Sequence, residues 1–194
     1  MRIVIATCTK NEWLVPHCIK YWKRAWPECE WPIDVVTGPG KWSDQMLGWL
    51  WGKSEPFLLM LEDYLVTKVD KSLMRTAGRA IAWPSVGTVR LMPLPTPPDC
   101  KPLGELPWWN IGEHGHKKPY TVSLQAAFWK PEAMRDLLRP GENPWETELR
   151  GTLRAKTYTK YRFLGTFDWA LRYKNALRRG KKHKPTMLWM KVHP

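Results

Sequence analysis

No apolar run in this chain approaches the roughly twenty residues that a helix needs to cross a bilayer. The four cysteines, Cys8, Cys18, Cys29 and Cys100, form no C-x-x-C pair and no zinc spacing, so free thiols in a cytosolic chain are the simplest expectation. The Gly-x-Gly-x-x-Gly fingerprint is missing, which argues against a dinucleotide fold of the usual kind, and no Gly-Lys-Ser phosphate loop replaces it. Acids are almost missing from the last 45 residues, where Arg150 onward holds thirteen Lys or Arg and one acid, Asp168. Nearly all of the net charge of +13 therefore lies there, which makes it either a solvated basic tail or a candidate surface for nucleic acid, acidic lipid or nucleotide phosphate. Tyr158, Tyr161, Phe163, Trp169 and Tyr173 interleave with these cations, as stacking platforms for bases or sugars do, and the same pattern fits core positions equally well. The remainder is ordinary for one globular domain over 1–194, apart from fourteen Trp, whose indole N–H groups need partners at a surface or pocket.

Met1-Arg-Ile-Val-Ile-Ala6 reads as a first strand rather than a signal peptide. Asn11 is placed to cap a helix from Glu12 to about Trp26, stopped by Pro27. Ile33–Thr37 is a second strand, and Ser43 or Asp44 begins a helix over Gln45–Trp51. Phe57-Leu-Leu-Met-Leu61 is a continuous apolar run, as in a strand buried on both faces. It runs into Glu62 and Asp63, with apolar residues resuming at Tyr64. Lys71–Trp83 is a helix, Gly87–Met92 a strand, and Pro93–Lys118 a long irregular segment of the kind that often carries function. Tyr120–Phe128 is a strand, and Pro131–Leu138 and a segment opening at Pro144 are helices, the latter with Pro at its first position. The alternation predicts an α/β fold with a Rossmann-like central mixed, mostly parallel sheet flanked by helices.

Ligands of such sheets sit outside the carboxyl ends of the strands, where Glu62 and Asp63 fall. Two carboxylates there suit a hard cation, which in turn binds phosphate oxygens. Glu146 and Glu148 lie in the first turns of the helix at Pro144, where its dipole favours acids. They point to different sides, so one alone would serve as a general base. Glu113-His114-Gly-His116 has two potential metal ligands, but one such triplet in a loop is a weak metal signature.

Four stretches carry a family resemblance: Trp26-Pro-Glu-Cys, Leu61-Glu-Asp-Tyr, Ser123-Leu-Gln-Ala-Ala-Phe-Trp129 and Pro140-Gly-Glu-Asn-Pro-Trp-Glu-Thr-Glu148. In this order they resemble the small GT-A-fold glycosyltransferases of bacteria and bacteriophages. The resemblance implies a cytoplasmic enzyme that moves a sugar from a nucleotide-sugar donor, a UDP-sugar first among them, to a hydroxyl acceptor. It assigns the diphosphate and a divalent cation, Mn2+ or Mg2+, to Asp63 with help from Glu62. The sequence here is Glu-Asp-Tyr rather than Asp-x-Asp. Thr7, Lys10 and Asn11 correspond to the loop that receives the nucleotide base, and Glu148, with Glu146 in reserve, to the base of inverting members. The resemblance stops near Lys156.

The basic part, 150–194, leads to an expectation about the acceptor. DNA with a hydroxylated base is favoured over an anionic membrane surface, with Arg178 and Arg179 on the phosphates and Trp108, Trp109 or Tyr161 stacking on the extruded base. Two other classes remain beside the transferase: a non-catalytic nucleic-acid-binding module and a metal-dependent nucleotidyltransferase.

Overall fold

The structure, a computed structural model, describes residues 1–99 and 110–193. Its centre is built from short runs whose alternate side chains enter opposite cores. In β1 (Arg2–Ala6), Ile3 and Ile5 face one layer, while Val4 and Ala6 face the other. In β3 (Phe57–Leu61) the same division sets Leu58 and Met60 against Phe57 and Leu59. Strands that must satisfy two cores read as unbroken apolar sequence, which explains the Phe57–Leu61 run.

β2 (Ile33–Val36) follows α1 (Val15–Ala25), and α2 (Trp42–Leu50) leads into β3. After β4 (Tyr64–Val69) come α3 (Lys71–Ala82), β5 (Val86–Arg90), β6 (Ile111–Glu113) and β7 (Ala127–Trp129). Helices α4 (Pro131–Leu137) and α5 (Pro144–Ala155) precede β8 (Arg162–Thr166), β9 (Leu171–Asn175), the β10 (Leu177–Arg178) and β11 (Lys181–Lys182) hairpin, and α6 (Lys184–Val192). Seven strands form the central sheet in the order β2-β1-β3-β7-β5-β8-β6. Five run one way, and β6 and β7 run against them. The mixed, mostly parallel α/β architecture is as expected, in a single domain. Helices α1 and α3 cover one face, and α2, α4 and α5 the other.

Several boundaries differ from the sequence expectation, each for a local reason. The first helix is split: a 3-10 turn covers Thr9–Leu14 and the α-helix starts at Val15, with Pro16 in its first turn. Asn11 caps nothing, because its side chain reaches Glu62 instead. Ser43 and Asp44 lie inside α2 rather than at its start, where they accept bonds from the Glu142 and Gly141 backbone N–H groups. Most of the 120–128 strand is absent. Thr152 Oγ1 takes both the N–H and C=O of Val122, and Thr121 Oγ1 donates to Gly115 and Lys118, so side chains replace a ladder there. Several Trp are expected at a surface or pocket, and Trp51 and Trp145 are exposed, yet Trp42 and Trp129 are buried with no bond to the indole N–H among the described residues. Cys8, Cys18 and Cys29 are free thiols; Cys100 lies outside the described residues.

The basic C-terminal part is woven into the domain. β8 is an interior strand between β5 and β6, and β9 pairs with β4 in a separate two-stranded sheet. None of the described helices is long and apolar enough to cross a membrane.

A buried ion pair fixes α5. Arg154 donates to both oxygens of Glu142, at 2.8 and 2.7 Å, and to the Leu137 carbonyl, while Glu142 is buried. Replacing Arg154 by Leu strands the carboxylate without its cation, which costs about 3 kcal/mol. Urea unfolding should show that loss for Arg154→Leu, and a smaller one for Glu142→Leu/Arg154→Leu, where no charge is left buried.

Candidate functional site

The registers Ala6↔Val36 and Ala6↔Leu61 bring the carboxyl ends of β1, β2 and β3 level at one edge. The loops that follow converge there. Thr7 is buried and extends the pairing through its N–H to the Val36 carbonyl. Lys10 is exposed on the 3-10 turn. Thr9 donates to the Gly38 carbonyl, which ties the first loop to the second. Asn11 donates to Glu62 Oε1 at 2.8 Å, which ties it to the third. Thr7, Lys10, Asn11, Glu62 and Asp63 therefore share one edge, as the sequence led us to expect.

Glu62 and Asp63 do not end a strand that continues in line. They form a turn after which the chain leaves the central sheet in β4. Only 7 and 8% of their surfaces are exposed. Burial pushes the Glu62 carboxyl up to about 7, with the neighbouring Asp63 charge adding to it and the Asn11 amide opposing it. Burial likewise pushes Asp63 up to about 6, opposed by Asn175 and the Leu177 backbone. Both groups thus titrate closer to neutrality than ordinary carboxylates do. Cys18 of α1 lies beneath them, its Sγ 3.4 Å from the Tyr64 carbonyl, and burial first, then Asp63 and Glu62, pushes its thiol up.

The β4–β9 pairing brings the basic segment to these acids. Asn175 Nδ2 donates to Asp63 Oδ2 at 3.3 Å, and the Ala176 N–H donates to the Asp63 carbonyl at 2.8 Å. Asn175 is also part of the wall of an open pocket of about 540 Å³, lined with Lys174, Arg178, Arg179, His183 and Thr186 among others. Asp63 does not line this pocket; Asn175 links the two. Nothing local in the chain marks Asn175, because its partner is 112 positions away.

Glu148 is held from the other side. Its Oε1 accepts from Ser123 Oγ at 3.0 Å and the Leu124 N–H at 2.7 Å. The Leu124 carbonyl accepts from Tyr64 Oη, and Tyr64 stacks on Tyr173 with ring centroids 4.2 Å apart. Both phenols are pushed up, by burial first, with Asp63 and Glu148 each contributing. The tyrosine pair thus stands between the two carboxylates. Arg90 completes this group. Burial lowers it to about 10, while Glu148 and Tyr173 oppose that shift.

Other candidates lie elsewhere. Glu146 closes a capping box with Asn143, each side chain bonding the other's backbone N–H, and pairs with Arg150. Those contacts tie both oxygens of Glu146 to its own helix. Tyr161 precedes β8, at the opposite edge of the sheet, and donates to Glu132. Arg178 and Arg179 line the pocket beside Asn175. Trp108 and Trp109 lie outside the described residues. His114 and His116 do not converge on a metal. His116 Nδ1 is 3.0 Å from the Ala155 carbonyl. His114 is buried against Gly165, where a Cβ would come within 2.4 Å of its Nε2. Neither of its ring nitrogens has a partner among the described residues, and burial, then Arg90 and Lys118, lowers it to about 3. No cluster of three or more metal-ligating side chains occurs among the described residues. Two adjacent carboxylates fit a hard cation whose remaining positions are filled by phosphate oxygens and water, and do not fit a closed protein cage.

The folded protein holds the Glu62 proton more tightly than the unfolded chain does. That contribution to stability is full below about pH 4 and is lost as pH rises through about 7. Glu62→Gln keeps the acceptor for Asn11 and removes the buried charge. Denaturant unfolding at pH 8 should show the variant about 2–3 kcal/mol more stable than wild type, with most of that difference gone at pH 4. No family model matches the sequence, and no curated protein matches it.

Proposed function

We propose that the protein is a GT-A-type glycosyltransferase that moves a sugar from a nucleotide-sugar donor, a UDP-sugar first among them, to an acceptor hydroxyl. One observation carries this reading: Asp63, at the carboxyl edge of the sheet, is bonded to Asn175 in the wall of a cation-lined pocket. Sugar transfer from a nucleoside diphosphate builds negative charge on the departing diphosphate, and fixed cations lower that barrier. Lys174, Arg178 and Arg179 supply them on one side of Asn175. Thr7, Lys10 and Asn11 stand on the loop that would seat the nucleotide base. A divalent cation, Mn2+ or Mg2+, would be held by Asp63 and Glu62 and would supply further charge neutralisation at the diphosphate.

Glu148 is the general base in this reading. Its Oε1 is fixed by Ser123 and Leu124, which holds the carboxylate in orientation and leaves Oε2 to take the acceptor's proton. Among the acids of α5 it is the one directed toward the Tyr64–Tyr173 pair, whereas Glu146 serves its helix.

The test combines binding and turnover. A thermal-shift screen of nucleotide sugars and nucleoside triphosphates, with and without Mn2+, should show protection by a nucleotide sugar. Protection by a triphosphate alone would move the assignment to a nucleotidyltransferase. Asp63→Ala should abolish transfer with the fold retained, and unchanged turnover in excess chelator would remove the cation. Glu148→Gln keeps the acceptor for both bonds, so kcat should fall about a hundredfold or more with donor affinity nearly unchanged.

A further inference from the structure

Helix α6 has an inner and an outer face of different character. Inside, Met187, Trp189 and Met190 pack on the cluster of Leu14, Tyr21, Leu65 and Ala176, and Tyr21 Oη donates to the His193 carbonyl at 2.6 Å. Outside, Leu188 and Val192 follow one another at a spacing of four and are 64 and 66% exposed. Two large aliphatic side chains stand side by side, largely uncovered by the described residues. Lys184 precedes them on the same face, and Lys191 flanks them.

The surroundings are cationic without exception. From Leu171 to His193 the chain holds eight Lys or Arg and no acid. None of the eight is in an ion pair with a described residue. Arg178, Arg179, Lys181 and Lys182 project from the β10–β11 hairpin that leads into α6, all of them exposed. Lys182 lies 4.6 Å from the ring centroid of Trp13, itself partly exposed on the 3-10 turn. Apolar side chains set among unpaired cations are complementary to a surface with anionic headgroups above hydrocarbon.

We propose that α6 and the β10–β11 hairpin dock the protein on an anionic phospholipid bilayer, Leu188 and Val192 entering between headgroups whose phosphates Lys181, Lys182, Lys184 and Lys191 hold. A duplex nucleic acid would satisfy the cations and leave the aliphatic pair in water. Most aromatics of the segment from β8 to α6 are also engaged within the fold rather than open to stacking on bases. Phe163 is buried, Tyr173 is stacked on Tyr64, Trp169 lies against Arg172, and Trp189 is sandwiched by Tyr21 and His193. The docking does not rest on the transferase reading, since its readout is binding alone.

The test is flotation of the full chain with phosphatidylcholine vesicles, with and without phosphatidylglycerol, beside retention on duplex DNA at matched salt. Wild type should bind only the vesicles that contain phosphatidylglycerol. Leu188→Ser/Val192→Ser should weaken that binding about tenfold or more, with an unchanged melting temperature and unchanged retention on DNA. Lys184→Glu/Lys191→Glu should weaken it too, and more at low salt than at high. Equal binding to both vesicle types, retention on DNA with no vesicle binding, or vesicle binding by the serine variant at wild-type strength would each overturn the proposal.

Discussion

The desolvation of two adjacent carboxylates is the constraint around which this molecule is arranged. Removing Glu62 and Asp63 from water disfavours their charged forms, by about 3 kcal/mol each once the hydrogen bonds that oppose it are counted. The fold tolerates that because partners approach from distant parts of the chain: Asn11 from the loop after β1, and Asn175 and the Leu177 backbone from the end of β9. A sheet that only needed to be stable would gain from apolar residues in the same turn. Keeping acids there is a local conflict between stability and something else, and such conflicts concentrate at functional sites.

Much of the scaffold was legible because its signals are local. Unbroken apolar runs gave β1 and β3, Asp70 before Lys71 became a true N-cap, and Asn143-Pro144 opened α5 with a full capping box. Adjacency in sequence also placed Glu62 beside Asp63, and the strand-end rule placed both at the right edge. What escaped was every feature that depends on a distant partner. Glu146 and Glu148 look alike along the chain, and only the position of Leu124 and Ser123 across from α5 separates a capping acid from one directed at the tyrosines. The 120–128 segment has a strand's composition, but Thr152 and Thr121 side chains claim its backbone first. His114 and His116, two positions apart, are separated by the strand pairing around them, one inside against Gly165 and the other on the Ala155 carbonyl.

The interleaving of aromatics with cations in the last 45 residues shows the same lesson in reverse. A linear pattern of Tyr, Phe and Lys resembles a stacking surface, yet a strand sends successive side chains to opposite sides. In β8 and β9 the aromatic positions fall inward and the cations outward, so Phe163 and Tyr173 serve the core while Arg172 and Lys174 meet solvent. Pattern alone could not distinguish the two uses.

The interior place of β8 governs the order in which the chain can become a protein. While synthesis has not reached Arg162, β5 has β7 on one side and an open hydrogen-bonding edge on the other, and β6 is paired among the described residues only through the Asp99–Glu113 bridge. An apolar strand edge that waits for a late segment is an invitation to pair with another chain. The partially made polypeptide therefore passes through a window of vulnerability that closes only when Phe163 and Leu164 slide between β5 and β6, and shielding by a chaperone would matter most there.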